Sequence, residues 1–196
     1  MWQQQILQRL EALRAQKGTL RIAVLGIGNE LYGDDALGVE IARSLIASGL
    51  SDRVNYLVIV GGPAPENHCS TLRRFKPDLV ILIDAASMNL RAGSVRWLDA
   101  DELLAAPRHL WTTSLHLLIR YIQAELKSEV GLIGIQPEQV KWDVRSQFMS
   151  DRIQMISAEI VAAMSLFNCE TANGTQPLEI ANRKRTNHAA ENPIQI

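Results

Sequence analysis

Hydrophobic positions recur along this chain with two alternating periods. Ile6, Leu7, Leu10 and Leu13 follow the spacing of one helix face, which predicts an amphipathic lead-in helix within residues 1–18. An apolar run at 20–25 predicts a short buried strand, and a glycine-rich loop follows it. Val39, Ile41, Ala42, Leu45 and Ile46 return to the helical period over 39–48. Residues 54–60 read as a second strand halted by Gly61-Gly62-Pro63, and a short helix is expected near 67–75. Leu79-Val80-Ile81-Leu82-Ile83 is apolar at every position, as a central parallel strand buried on both faces must be. A turn around Arg91-Ala92-Gly93 leads to a strand at 94–98. A helix over 115–127, a strand at 131–135 and a last helix over 151–166 complete the pattern.

This alternation of strand and helix predicts an α/β three-layer sandwich, a mainly parallel twisted sheet with helices on both faces. Residues 1–168 read as a single domain. Residues 169–196 are polar and aperiodic, and read as a disordered tail without chemistry. With 196 residues, 47% of them hydrophobic, the chain can bury one good core. The net charge of −1 lacks the basic footprint of sequence-independent nucleic-acid binding. Cys69 and Cys169 lie far apart and form no Cys-x-x-Cys pair, so neither a disulfide framework nor a zinc knuckle is expected. The first residues contain no long apolar core, which argues against a signal peptide or a membrane anchor. A soluble cytoplasmic protein is the expectation.

The candidate chemistry starts in the loop at 26–38. Gly26, Gly28 and Gly33 fall within eight residues of one another, and Asp34 and Asp35 follow directly. The dinucleotide fingerprint is excluded, because Leu31 stands where its third glycine is required. Adjacent carboxylates would also repel a pyrophosphate, whereas they suit a cation. Open α/β sheets bind ligands beyond the carboxyl ends of their strands, where strand order reverses. If the first and third strands flank that point, the Asp34–Asp35 loop meets the loop that begins at Asp84. An acid directly after five apolar residues is either a turn cap or a functional carboxylate. His116, at the start of a helix, is either a packed residue or a third ligand. His68 and His109 are weaker candidates, and His188 lies in the tail. Two carboxylates and an imidazole suit nickel, zinc or manganese better than copper(I).

Other readings fit less well. Asp34 and Asp35 as a proton-sharing dyad would need neighbouring loop residues to face each other. Ser114 with His116 lacks a Gly-x-Ser-x-Gly elbow. Trp97, Trp111 and Trp142 read as core or edge packing, since no basic stripe surrounds them.

Four blocks carry a family resemblance: Gly26-Ile27-Gly28-Asn29 with Gly33-Asp34-Asp35; Gly61-Gly62-Pro63-Ala64-Pro65-Glu66-Asn67; Leu82-Ile83-Asp84-Ala85; and Gly134-Ile135-Gln136-Pro137. In this order across residues 20–145, they make the chain resemble the hydrogenase maturation endopeptidases. The second and fourth blocks are most like the branch that serves formate-hydrogenlyase-type hydrogenases. The resemblance implies removal of the C-terminal extension from the large-subunit precursor of a nickel–iron hydrogenase, after nickel insertion. It implies Asp35 and Asp84 as catalytic residues, and Asp35, Asp84 and His116 as contacts to nickel. The metal would be a recognition element carried by the substrate, and the protein a monomer acting on a large partner. One segment departs from the family. The family histidine is expected near Ser114, just after Thr112-Thr113, whereas His116 comes two residues later, about 200° around a helix. Either a shortened loop lets His116 reach the site, or the third ligand is lost. The second case would leave a non-catalytic factor that binds nickel or the precursor. A generic nucleotide-binding module is a third, weaker reading.

Overall fold

The computed structural model describes residues 1–105, 113–142 and 146–165. His109, Trp111, Cys169, His188 and the expected tail at 169–196 lie outside the described residues.

Among the described residues, five strands form one sheet: β1 (Ile22–Ile27), β2 (Tyr56–Gly62), β3 (Leu79–Ala85), β4 (Val95–Asp99) and β5 (Glu129–Ile135). Their spatial order is β2-β1-β3-β5-β4, parallel throughout except for β4, which runs antiparallel to β5 at the edge. Successive side chains of a strand point to opposite faces, and each face here has its own core. Ile22, Val24, Ile81, Ile83 and Ile133 pack with α1 (Trp2–Lys17), α2 (Leu37–Ala47) and α6 (Gln147–Ser165). Ala23, Leu25, Val80, Leu82 and Leu132 pack with α3 (Cys69–Phe75), α4 (Ala100–Ala105) and α5 (Thr113–Tyr121). Residues 79–83 are buried from end to end because both sets of helices cover them. The expected three-layer sandwich is the architecture found.

The departures from expectation have local causes. The helix α4 starts with a reciprocal cap: the Glu102 amide donates to Asp99 Oδ1 at 2.9 Å, and the Asp99 amide to Glu102 Oε2 at 3.2 Å. This is a capping box written with Asp in place of Ser or Thr. The final helix begins at Gln147 rather than 151, with Ser146 Oγ accepting from the Met149 amide at 3.4 Å. The helix expected over 115–127 is α5 followed by a π-helical turn, Ile122–Leu126, closed by Lys127 in a left-handed conformation. Trp97 is core packing as expected, its indole lying against Gly131 where a Cβ would come within 2.0 Å of the ring.

One close approach positions everything that follows. A Cβ on Gly38 would sit 2.1 Å from the Ile83 carbonyl oxygen and 2.3 Å from that of Ile27. A Cβ on Gly26 would sit 2.1 Å from the Gly38 oxygen. Only with hydrogen at both positions can the first turn of α2 lie directly on the carboxyl ends of β1 and β3. The residues just before α2 are thereby set beside the residues just after Ile83.

Candidate active site

Strand order reverses between β1 and β3: the chain leaves β1 for β2 on one side, then crosses back to β3 on the other. At this crevice the Gly33–Ala36 3-10 turn packs against β3. The turn needs glycine at two points. Gly33 has φ 57°, and Gly28 has φ 137° with no room for a Cβ, which would meet the Asp35 carbonyl oxygen at 1.8 Å.

Asp34 and Asp35 are adjacent in sequence and have different surroundings. Asp34 is buried, and its carboxylate accepts three backbone amides: Glu138 at 3.0 Å, Gln139 at 2.9 Å and Ser146 at 3.1 Å. Its own amide returns a bond to the Gln139 carbonyl. Asp34 is therefore a clamp that holds the loop after β5 onto the loop after β1. Asp35 is half-buried and accepts one amide, from Asn29 at 2.7 Å. Asn29 in turn holds its loop through Oδ1, which accepts from the Leu31 amide at 3.0 Å. The two aspartates do not form a dyad with each other.

The partner of Asp35 is Asp84. Burial at the end of β3 pushes the Asp84 carboxyl up to about 8, and the nearby Asp35 carboxylate adds to the rise. The Ala85 amide opposes it by bonding to the ionised form. Desolvation and a like charge together favour either a proton on Asp84 or a cation between the two groups. This pair is what the sequence placed at the switch point, and the structure brings it together.

Gln136, in the fourth motif block, ties the loop that Asp84 opens. Its Oε1 accepts the Met88 amide at 2.7 Å and the Leu90 amide at 3.2 Å. Its backbone bonds Ser94 and Gly93. The crevice thus has three walls, from the loops after β1, β3 and β5, each joined to the next by Asp34 or Gln136. Sequence reasoning assigned neither residue this role.

His116 lies on α5, half-buried, about 100° around the helix from Leu115. It flanks the buried stripe of Leu115, Leu118, Ile119 and Ile122. By strand alternation Asp84 lies on the sheet face that α5 covers, so the imidazole and the carboxylate share a side of the sheet. Among the described residues, however, no three His, Cys, Asp or Glu side chains are gathered closely enough to hold a metal ion. His68 belongs to the Pro65–His68 turn after β2, against which α5 packs. A cavity of about 470 Å³ lined by Gln8, Arg9, Trp97 and Glu129 lies at the other end of the sheet, where β3 and β5 begin. No helix among the described residues is long and apolar enough to cross a membrane.

The site can be set beside known proteins. Residues 39–164 match the HycI family, described as hydrogenase maturation protease. The matched span includes Asp84, His116 and Gln136, and begins just after the glycine loop. The chain is 33% identical over 118 residues to the hydrogenase 3 maturation protease of Escherichia coli, covering 59% of this chain and 72% of that protein. It is similar to the crystal structure of the [NiFe] hydrogenase maturation protease HycI from Thermococcus kodakarensis, with a TM-score of 0.68 and 28% identity, across 80% of this chain and 99% of the other. The solution structure of the endopeptidase HycI from Escherichia coli matches at a TM-score of 0.61 and 28% identity, over 71% and 88% of the two chains. Strand order, the paired acids at the switch point and the sequence match converge: the chain belongs to the HycI family of hydrogenase maturation proteases.

Proposed function

We propose that this protein is an endopeptidase that removes the C-terminal extension of the large-subunit precursor of a nickel–iron hydrogenase, and that it cuts only the nickel-loaded form. The observation that carries the reading is the Asp35–Asp84 pair, with Asp84 desolvated, at the switch point of a HycI-family chain. Two carboxylates that repel each other are stabilised by a divalent cation between them. The precursor brings that cation, so nickel is part of the substrate. Asp35 and Asp84 supply oxygen donors and His116, from the same side of the sheet, supplies the nitrogen donor; such a mixed set suits nickel. An open set of this kind fits a metal that arrives and leaves with its carrier better than a closed four-ligand structural site does.

Once the nickel is held, the peptide bond next to it is fixed against the crevice. Hydrolysis adds one water: its oxygen goes to the carbonyl carbon, one proton goes to the departing amine, and the new carboxyl releases the other. A carboxylate of the pair assists by taking the proton of the attacking water, which makes the chemistry aspartic in type. The protein works as a monomer in the cytoplasm.

A second reading is a maturation factor that binds the nickel-loaded precursor without cutting it. It is favoured by the scatter of the third donor, since the described residues group no three ligands. Mixing the purified protein with nickel-loaded and nickel-free precursor, and weighing the products by mass spectrometry, separates the two. Release of the C-terminal peptide from the loaded form alone supports the endopeptidase. A stable complex with no released peptide supports the binding factor. The Asp84→Ala variant is expected to abolish release while keeping a native circular-dichroism spectrum; normal cleavage by that variant refutes the assignment of the pair.

A further inference from the structure

Beside the acidic pair the surface changes character. Leu31 is 54% exposed, Tyr32 41%, Val140 50% and Trp142 61%. These are large apolar groups on two loops that both border the crevice. Tyr32 and Trp142 meet edge to face, with ring centroids 5.4 Å apart and planes at 88°. Their exposure is built in, because the two loops are locked together beneath them. The buried Asp34 carboxylate takes the amides of Glu138, Gln139 and Ser146, on either side of Val140 and Trp142. On the other loop, the Leu31 amide bonds Asn29 Oδ1 and the Asp35 amide bonds the Tyr32 carbonyl. An exposed aromatic pair on anchored loops beside a polar crevice has the composition of a protein-recognition hot spot.

We infer that Leu31, Tyr32, Val140 and Trp142 form an apolar ledge on which an extended, apolar segment of the precursor polypeptide docks as its scissile bond reaches Asp35 and Asp84. This rests on the endopeptidase reading and adds to it the surface that selects the substrate. Continuity argues for that occupant. Tyr32 lies three residues from Asp35, within about 10 Å along the chain. A polypeptide held at the pair therefore needs only about three extended residues to reach the ledge. Charge gives an anionic membrane no hold here: Glu30 is paired with Arg43, and Asp35 and Glu138 outnumber Lys141, the one cation within the ledge segments 31–32 and 140–142. Affinity comes from the apolar contact, while the acids handle the metal-bearing residues. Recognition and chemistry are separated by one turn of chain.

The test compares Leu31→Ser, Trp142→Ala and the double variant with wild type on the full nickel-loaded precursor. Val54→Ser is the control, since Val54 is 56% exposed but lies just before the amino end of β2, at the far end of the sheet. The ledge variants are expected to raise KM about tenfold each, as loss of a hot-spot contact does, with kcat within about twofold. Val54→Ser should change neither. Unchanged KM in the double variant overturns the proposal, as does an equal rise in Val54→Ser. A ledge variant that turns a wild-type dimer into a monomer, read by light scattering, also overturns it by assigning the ledge to a second copy of this chain. If wild type cuts no precursor, the endopeptidase reading fails first, and the ledge is judged by the Kd for the precursor from calorimetry. A Kd weakened about tenfold by Trp142→Ala sustains docking without cleavage, whereas an unchanged Kd or no binding by wild type refutes it.

Discussion

Replacing Asp34 by alanine and, separately, Asp35 by alanine is the most direct check on the division of labour between two neighbouring acids. Asp34→Ala strips three backbone amides of a buried acceptor: those of Glu138, Gln139 and Ser146, now bonded at 3.0, 2.9 and 3.1 Å. A hydrogen bond to a charged group contributes about 1.5–3 kcal/mol, and a buried donor left unsatisfied costs about 1–3 kcal/mol. These overlap, and the loop at 138–146 can move to let water reach the freed amides. A net loss of about 3–5 kcal/mol follows, in line with breaking one side of a buried charged contact. For a chain of this size that lowers Tm by about 10–15 °C. Asp35→Ala loses only the Asn29 amide and removes a charge that opposes ionisation of Asp84. Its stability should stay within about 1 kcal/mol of wild type. Both variants are expected to lose processing activity, but only Asp35→Ala should do so with near-native melting. Thermal denaturation followed by circular dichroism reads the difference. Equal melting temperatures for the two variants would refute the clamp.

Two more outcomes follow from the same geometry. The folded Asp84 carboxyl keeps its proton up to about pH 8, while an unfolded aspartate releases it near 4. The native state binds the extra proton between those values, so this group makes stability fall as pH rises across that window. Asp84→Asn carries no such charge, so its stability relative to wild type should grow from about pH 4 to 8. The ceiling is roughly 5 kcal/mol and the expected gain about half that, because the strand end can admit water. Urea unfolding at a series of pH values measures it, and a flat difference would sink the idea that Asp84 is desolvated. Gly38→Ala should cost about 3 kcal/mol, because its Cβ collides with two backbone oxygens and α2 must move off the sheet. Gly49→Ala, in the left-handed helical region with its nearest neighbour 3.4 Å away, should cost only about 1 kcal/mol of backbone strain, so similar denaturation midpoints for the two would contradict the close approach.

Much of the fold could be read from local pattern, and the exceptions show where pattern stops. Residues 79–83 predicted a doubly buried central strand because five apolar residues leave no polar face, and β3 lies at the centre of the sheet. The Asp99-Ala100-Asp101-Glu102 capping box marks a helix start in the sequence, yet the six residues of α4 carry too little periodicity to predict the helix. Trp97 and Trp142 looked alike as isolated aromatics. One is buried against Gly131 and the other stands exposed against Tyr32, a difference that depends on β5 and on the loop Asp34 clamps.

By itself the sequence determined which residues are apolar and at what period, and hence an α/β sheet with an acid at the end of its central strand. It also carried the four motif blocks that mark the family. Tertiary structure alone decided what each acid does. Asp34 and Asp35 have the same side chain and nearly the same local sequence, but the partners of Asp34 lie more than a hundred positions away. Asp35 is paired with Asp84 only because two glycines let α2 settle on the strand ends. Ionisation and metal affinity depend on distance and on exclusion of water, and neither quantity exists until the chain has closed around the site.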